Sequence, residues 1–439
     1  MRRISQYLQR YALEAPLGAV ALPARYQGAV VVPACDENAA FVAPWQQAAA
    51  ASGARWLLVV VVNRHAWAER HVQAQNAALL RALRALGALS ACAGLRAAHW
   101  VRVAGSLDIL VLDRSTRPDR LLRPSGVAAA RRAGFDAALA LWYTGVLASP
   151  WLRGSDADAW PPVAALQGEP VALGSACIAP FWHRPDADVA ANRAVALYEL
   201  WLRYWRAGLR WAGSPYAYHS IGSCLSVHAE AYAAVRGVPR RRAGEDFHLL
   251  GKLAKVAPVL QVAGTPVSLS SRLSTRVVFG TGRAARSWLR RDATLQHVAF
   301  DAPAVWVRLA TWLGALRDSA VAGSLAPVER ALRDERLRHG LGDSARLCAQ
   351  LQQLLDAAPD AARAEAQLMR RWDALQTLRF LHRLRALRGH APVPWQHALR
   401  QAPGTANAAL PAPRIETLDP WRRALLTLEL AEPGVCGRC

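Results

Sequence analysis

Lysine is almost missing from this sequence, and acidic residues are scarce. Of the 54 basic residues only Lys252 and Lys255 are lysines, and 32 acidic residues leave a formal charge of +22. A protein with this positive charge could attract nucleic acid, an anionic membrane surface or a phosphorylated substrate. Net charge alone does not choose among them. General use of arginine in place of lysine explains the charge equally well, because net charge describes solubility and association rather than fold.

Long apolar runs and a disulfide framework are also lacking. No run approaches the roughly 18 apolar residues of a membrane span, and Glu14 interrupts the basic N-terminal stretch. The seven cysteines are odd in number and scattered, which favours a reducing compartment. Cys436 and Cys439 have metal-ligand spacing, but one such pair cannot complete a tetrahedral zinc site. We expect a cytoplasmic protein that is soluble or peripheral on the inner face of the membrane.

The length and composition predict an ordered chain with more than one part. Its 439 residues are 53% hydrophobic and 20% charged, which excludes a disordered chain. We expect an N-terminal extension over residues 1–27, an α/β domain over 28–285, an α-helical region over 286–391 and an irregular tail over 392–439.

Strand and helix patterns alternate in the α/β part. GAVVVPA from Gly28, RWLLVVVVN ending at Asn63 and LDILVLD ending at Asp113 are short apolar runs typical of buried strands. A helical pattern follows each of them, and the second is expected to run from Ala66 to about Leu89. This order predicts an α/β fold with a doubly wound, mostly parallel sheet.

Polar side chains follow the predicted strands. Asp36 and Glu37 come after the first, and Asn63 and Asp113 end the next two. In doubly wound sheets, ligands collect beyond the carboxyl ends of the strands. We therefore expect these residues to converge on one rim of the sheet.

An acidic motif, GSDADAWPP, follows the short strand candidate WLRGS. Mg²⁺ takes one or two protein carboxylates and fills its remaining positions with water and phosphate oxygens, so Asp156 and Asp158 suit a metal–diphosphate site. A second DAD, at Asp186 to Asp188, precedes a helical run and is expected to be a cap or an exposed pair.

Glu245 and Asp246 stand at the start of an amphipathic helical pattern, RRRAGEDFHLLGKLAK. Acidic residues are common in first helical turns, where the helix dipole stabilises their charge, so a structural cap is the simpler interpretation. The functional alternative is a base that lies beside an acceptor hydroxyl.

The chain from about Gly28 to Gly282 resembles the family 2 glycosyltransferases. Four stretches carry the resemblance in order: VVVPACDENAAF, SGVAAARRAGFDAA, GSDADAWPP and SIGSCLSVHAEAYAAVRGVPRRRAGEDFHLLGKL. Their agreement with the independently predicted strand–helix order makes the combined signal specific.

The resemblance implies roles for several of these residues. Asp36 and Glu37 would lie near the base or ribose of a nucleotide, with Asn63 where the family often has an acidic residue. Arg131 would face the nucleotide, and Arg132 replaces the usual asparagine. Asp156 and Asp158 would bind the metal, Mg²⁺ or Mn²⁺. Asp246 would be the general base, with Glu245 as the second candidate.

A basic, glycine-containing loop follows a further predicted strand. Arg272, Arg276, Gly280 and Gly282 could close on a diphosphate, and an ordinary surface turn explains the same residues.

The function predicted from these features is inverting, metal-dependent transfer of a sugar from a nucleotide diphosphate donor to an acceptor hydroxyl. The acceptor could be a glycan, a lipid-linked molecule or a small molecule, and nucleic acid is not expected as a partner. One alternative is a nucleotidyltransferase that makes an activated sugar, although its glycine-rich, lysine-bearing loop is missing. The other is a non-catalytic basic module that binds anionic surfaces.

Overall fold

The computed structural model describes residues 1–13, 22, 24–92, 94–95, 97–122, 126–168, 174–241, 244–273, 280–405 and 409–432. The chain divides into two compact units. The first holds residues 1–187 and 220–283, and the second holds residues 188–219 and 284–432.

The strands lie mainly in the first unit. In chain order they are β1 (Gly28–Ala34), β2 (Trp56–Asn63), β3 (Gly87–Ala91), β4 (Ala98–Val103), β5 (Leu107–Arg114), β6 (Trp151–Gly154), β7 (Ala159–Trp160), β8 (Ala176–Ile178), β9 (Phe181–Arg184), β10 (Leu225–His228), β11 (Val259–Gln261), β12 (Val267–Ser270), β13 (Ala299–Phe300) and β14 (Val393–Pro394). The last two pair with each other in the second unit.

The helices occur in both units. They are α1 (Arg2–Arg10), α2 (Val42–Ser52), α3 (Arg70–Arg84), α4 (Val127–Tyr143), α5 (Val189–Trp211), α6 (Ala229–Ala234), α7 (Glu245–Leu253), α8 (Thr281–Arg291), α9 (Pro303–Ala322), α10 (Ala326–Ala331), α11 (Glu335–Leu341), α12 (Ser344–Asp356), α13 (Ala361–Arg371), α14 (Ala374–Leu384), α15 (Trp395–Arg400) and α16 (Leu418–Leu430).

A large sheet forms the centre of the first unit. Within the described residues its strand order is β11-β8-β10-β6-β1-β2-β5-β4-β3. The four middle strands, β6, β1, β2 and β5, are parallel, whereas β10 and β4 flank them in antiparallel pairings. Every residue of β1, β2 and β5 is buried, as expected of strands covered on both faces. The predicted α/β fold with a largely parallel central sheet is confirmed.

Helices cover both faces of this sheet. Val30 and Val32 of β1 belong to the core cluster that also contains side chains of α2 and α3. Val31, which points to the other face, meets α4 at Gly134, where an added Cβ would lie 2.2 Å from its Cγ1. Gly134 therefore allows the close approach of α4 to the strands.

The edge of the sheet departs from the expected pattern. A helix was expected to reach about Leu89, but α3 ends at Arg84, and β3 pairs with β4 as an antiparallel hairpin. All residues of β3 are exposed, so this edge strand carries no buried apolar run that could have marked it in the sequence.

The second unit is mainly helical and includes elements that were expected elsewhere. Helix α5 lies inside the residues expected to belong to the α/β domain, and β14, α15 and α16 lie inside the tail expected to be irregular. The expectation of an irregular tail is wrong for these elements; in α16, Trp421 and Leu425 form a buried apolar face. Buried ion pairs join it to α5: Arg203 contacts Glu429 at 2.6 Å, and Arg422 contacts Glu199 at 2.7 Å.

Candidate active site

The turn after β1 is held in place by an amide side chain of α3. Asp36 has φ 59°, a left-handed conformation that Asp tolerates better than most residues, and its main-chain N–H donates to Asn76 Oδ1 at 2.9 Å. Asn76 Nδ2 in turn donates to the carbonyl of Asn63, the last residue of β2, at 3.0 Å. Gln75 Nε2 donates to the carbonyl of Glu37 at 3.1 Å. One turn of α3 thus joins the carboxyl ends of β1 and β2.

Not all of the polar residues at the strand ends have side chains accessible at the rim of the sheet. Asn63 is buried, at 5% exposure. Asp113 is fully buried, and its carboxylate accepts hydrogen bonds from the main-chain N–H groups of Ser115 and Thr116 and from Arg120. These bonds outweigh burial and lower the pKa of Asp113. Asp113 therefore shapes the loop after β5.

The acidic motif follows β6, a central strand. Asp156 and Asp158 stand two and four residues after Gly154, the last residue of β6, and their side chains are 35% and 40% exposed. Short strand β7 follows and pairs with β12, and the main-chain N–H of Ser270 donates to the carbonyl of Asp158 at 3.2 Å. This pairing fixes the motif beside the segment that follows β12.

Arg272 lies in that segment and contacts two of the predicted residues. Its Nη2 is 2.7 Å from Glu37 Oε1 and 3.0 Å from Asp158 Oδ2. Burial, followed by the charge of Asp156, raises the pKa of Asp158, although Arg272 opposes the rise.

Arg131 forms the centre of a second group of contacts. Its side chain is 2% exposed, and Nη2 donates to Asp156 Oδ1 at 2.8 Å while Nε lies 3.5 Å from Glu245 Oε1. Burial would lower the pKa of Arg131, but the charges of Asp156 and Glu245 raise it overall. Its Nη1 donates to the carbonyl of Gly222 at 3.1 Å. Arg131 is therefore a buried cation that orients carboxylates.

Asp246 shares the first turn of α7 with Glu245. Its side chain is half-buried, and its Oδ1 accepts a hydrogen bond from the main-chain N–H of Phe247. Burial and the neighbouring charge of Glu245 raise its pKa to about 7, and the charge of Asp156 also contributes to this rise. A carboxyl group in this environment can gain and lose a proton near neutral pH.

The structure brings most of the predicted site residues together. Arg272 links Glu37 to Asp158, and Arg131 links Asp156 to Glu245, beside Asp246. The charge of Asp156 raises the pKa of both Asp158 and Asp246, so the two groups share one electrostatic environment. Arg276, Cys436 and Cys439 lie outside the described residues.

The second DAD motif has a structural role. The side chain of Asp188 accepts a hydrogen bond from the main-chain N–H of Ala191 at 3.0 Å and caps α5. Asp186 is exposed. The predicted cap is confirmed. The two DAD motifs have the same sequence but different structural surroundings.

Arg132, next to Arg131, contacts a different carboxylate: its Nε lies 3.8 Å from Asp136 Oδ2. Its guanidinium donates to the carbonyls of Val238 and Tyr11, at 2.6 and 2.7 Å. Where the resembled family has an asparagine, this chain therefore has a buried arginine that holds main-chain segments.

The site includes residues that the sequence did not single out. Asn76 and Gln75 were hidden in an ordinary helical pattern, and only their position opposite the strand ends gives them a role. An added Cβ on Gly222 would lie 2.6 Å from Arg131 Nη2, so this glycine leaves room for the guanidinium. Trp67, in the loop after β2, stacks on His65 at 4.9 Å and is 79% exposed.

The donor chemistry of the acidic motif fits a hard divalent cation. In the described part of the chain, no group of three or more His, Cys, Asp or Glu side chains is arranged as a complete metal site. Mg²⁺ and Mn²⁺ need fewer protein ligands when phosphate oxygens complete the shell. Two partly exposed carboxylates, Asp156 and Asp158, each in contact with one arginine, meet that smaller requirement.

The chain is similar to known proteins at the level of structure and not of sequence. No protein-family model and no curated protein sequence matches the chain. Among solved structures, it is similar to the mannosyltransferase PcManGT from Pyrobaculum calidifontis, solved in complex with GDP-Man and Mn²⁺. The match has 15% identity and a TM-score of 0.34, and covers 84% of this chain and 93% of that one. At this distance the match carries no functional argument.

Proposed function

We propose that the first unit transfers a sugar from a nucleoside diphosphate donor to an acceptor hydroxyl. One observation carries the proposal: Arg131 contacts both Asp156 and Glu245, the neighbour of Asp246, and Arg272 contacts Asp158 and Glu37, in a unit whose central strands are parallel. Ligands of such sheets bind beyond the carboxyl ends of the strands. Strand β6 ends two residues before Asp156, and β1 ends two residues before Asp36.

Two of the carboxylates would hold the metal. Asp158, with Asp156 beside it, would bind Mg²⁺ or Mn²⁺, which when bound neutralises negative charge on the departing diphosphate. Arg272 is 41% exposed and would turn from Asp158 towards the phosphates, because a guanidinium makes strong, bidentate hydrogen bonds to them.

Asp246 would act as the general base. It accepts the proton of the acceptor hydroxyl as the oxygen bonds to the anomeric carbon, while the bond from that carbon to the diphosphate oxygen breaks. Attack opposite the leaving group inverts the anomeric centre, and the products are the glycosylated acceptor and a nucleoside diphosphate. General-base catalysis of this kind increases the reaction rate by about 10²–10⁴-fold.

The remaining residues would position these groups. Arg131 holds Asp156 and Glu245 from below the surface, and Asn76 fixes the turn that carries Asp36 and Glu37 near the base or ribose. The exposed ring of Trp67 offers a stacking face beyond the end of β2.

The released product tests this proposal against its two alternatives. The full chain is incubated with Mn²⁺ or Mg²⁺ and either a panel of nucleotide sugars or nucleoside triphosphates with sugar 1-phosphates. Release of nucleoside diphosphate, even by slow transfer to water, is the expected result.

Release of pyrophosphate from a triphosphate would assign the chain as a nucleotidyltransferase. A chain that turns over neither set would be a non-catalytic module. The Asp188→Asn variant is changed only at the cap of α5 and should keep its activity. The Asp246→Asn variant should lose most of its activity.

A further inference from the structure

A strongly basic surface lies on the first unit and takes no part in the proposed reaction. Helix α1 buries Ile4, Tyr7 and Leu8 and leaves its arginines exposed. The ends of α6 and α7 lie beside it. We call this surface the basic face; its cations are Arg2, Arg3, Arg10, Arg236, Lys252 and Lys255, and the last two are the only lysines of the protein.

Two adjoining concavities line the basic face. One has a volume of about 180 Å³ and is lined by Arg3, Gln6, Tyr11 and Arg236, among others. The other, of about 410 Å³, is lined by Val235, Arg236, Lys252 and Lys255 together with Ala234. Both include Ala234 and Arg236, so cations from three elements converge on one hollow.

At least three of the six cations of the basic face have no carboxylate partner among the residues that the structure describes. Within the described residues, Arg2, Arg3 and Arg236 form no ion pair with a carboxylate. Burial, and then the charges of Arg132 and Arg236, lower the pKa of Lys252, whose ammonium donates to the carbonyl of Val235. Crowded cations of this kind attract an anion that bears several charges.

The basic face is also held rigidly. Asp136 of α4 is fully buried and accepts hydrogen bonds from Tyr7 at 2.6 Å, Tyr232 at 2.8 Å and the main-chain N–H of Leu13 at 2.7 Å. Arg132 donates to the carbonyl of Tyr11 at 2.7 Å. Helix α1 is thus fixed to α4 and α6, and its cations need little reorganisation to meet a ligand.

We propose that the basic face docks the protein on a membrane surface that contains anionic phospholipids, with lipid phosphates in the hollow around Arg236. The buried apolar face of α1 excludes insertion of this helix, so the attachment is electrostatic. A nucleic acid fits less well, because the guanidinium of Arg236 covers the ring of Tyr11 at 4.9 Å and leaves no open ring there for base stacking. In the described chain no helix is long and apolar enough to cross a bilayer.

The proposal is independent of the proposed reaction and has its own test. The full chain is sedimented with phosphatidylcholine vesicles that contain or lack phosphatidylglycerol, at about 0.1 M salt, where the Debye length is about 10 Å. Binding only to the anionic vesicles is expected. Each basic residue near such a surface contributes about a fivefold factor, so Arg2→Gln, Arg3→Gln and Arg236→Gln combined should weaken binding about a hundredfold.

A matched variant separates the basic face from net charge. Arg336→Gln, Arg346→Gln and Arg363→Gln remove three exposed helical arginines from the second unit and the same total charge. This variant should bind within about twofold of the parent, since these arginines lie outside the face. Equal losses in both variants would overturn the proposal, as would absent vesicle binding.

Two further experiments identify the ligand of the basic face. Displacement of the protein from vesicles by millimolar inorganic phosphate, at matched ionic strength, would assign the hollow to a free phosphate and overturn membrane docking. Binding of single-stranded RNA with the same loss in the basic-face variant, without vesicle binding, would assign the face to nucleic acid. Thermal unfolding of both triple variants confirms that each is folded.

Discussion

Asp246 has the chemical properties of a base, and it also lies in the first turn of helix α7, where acidic residues are stabilising. An acidic residue in a first turn contributes about 0.3–1 kcal/mol through the helix dipole, and asparagine caps nearly as well. Stability alone therefore does not separate the roles of Asp246, whereas its protonation does. Its pKa of about 7 places the change in charge inside the range of an ordinary activity assay.

The first prediction concerns Asp246→Asn. Because asparagine cannot accept a proton, release of nucleoside diphosphate should fall at least about a hundredfold while donor affinity is kept. In the parent, activity should be lost as the pH falls through about 7, since Asp246 is then protonated. The raised pKa means that ionisation destabilises the fold above that pH, so the variant should unfold at an equal or higher temperature at pH 8. Parent-like turnover in the variant would identify Asp246 as a cap and leave Glu245 as the next candidate.

Arg131 was expected to face the nucleotide directly, and its burial changes the prediction. Removal of one partner from a buried ion pair typically costs about 3–5 kcal/mol, because the other charge stays buried alone. Arg131→Ala should therefore lower the free energy of unfolding by about this amount, measured by urea titration. Arg336→Ala, which changes an exposed arginine, should shift it by less than about 0.5 kcal/mol. An unchanged midpoint for Arg131→Ala would show that its ion pairs do not hold Asp156 and Glu245.

Secondary structure elements were predictable wherever one face or one run was strongly apolar. Strands β1, β2 and β5 are continuous buried runs, and their type and place follow from the sequence. Strand β3 is fully exposed, so it carries no apolar signal although its partner β4 follows it in the same hairpin. Helix α16 contacts α5 through Arg203 and Glu429, which are 226 positions apart, and no local window of sequence contains such a contact.

The contacts of the site were less predictable than the residues themselves. Arg272 and Glu37 are 235 positions apart in the chain, and only the pairing of β7 with β12 brings them together. The burial of Arg131 depends on Gly222, 91 positions away. Residue types indicated the chemistry, but the topology decided which cation pairs with which carboxylate.

Helix α3 gives a prediction at the scale of an element. Asn76 joins the ends of β1 and β2, and its loss leaves a buried carbonyl and N–H without that partner, at a cost of about 1–3 kcal/mol. Asn76→Leu should destabilise the chain by this amount and weaken donor binding, because the turn with Asp36 and Glu37 loses its support. Gln73→Leu, an exposed amide on the same helix, is the matched control and should change neither property. Equal behaviour of the two variants in calorimetry would contradict the role given to Asn76.

At the scale of the whole molecule, basic residues outnumber acidic ones, but the acidic residues are concentrated in particular places. The protein has a net charge of +22, yet carboxylates gather in one group in the first unit. In the second unit, buried pairs such as Arg203 with Glu429 fix helices to one another. An overall positive field would attract an anionic donor, and the local carboxylates would recruit the metal that accompanies it.

Metal-dependent donor binding tests this account most directly. A panel of nucleotide sugars is titrated into the full chain by calorimetry with and without Mn²⁺, in the parent, Asp158→Ala and Asp188→Ala. We predict that at least one donor binds only with the metal, that Asp158→Ala weakens this binding at least about tenfold, and that Asp188→Ala stays within about twofold. Equal losses in the two variants, or donor binding that ignores the metal, would contradict the assignment of Asp156 and Asp158 as the metal site.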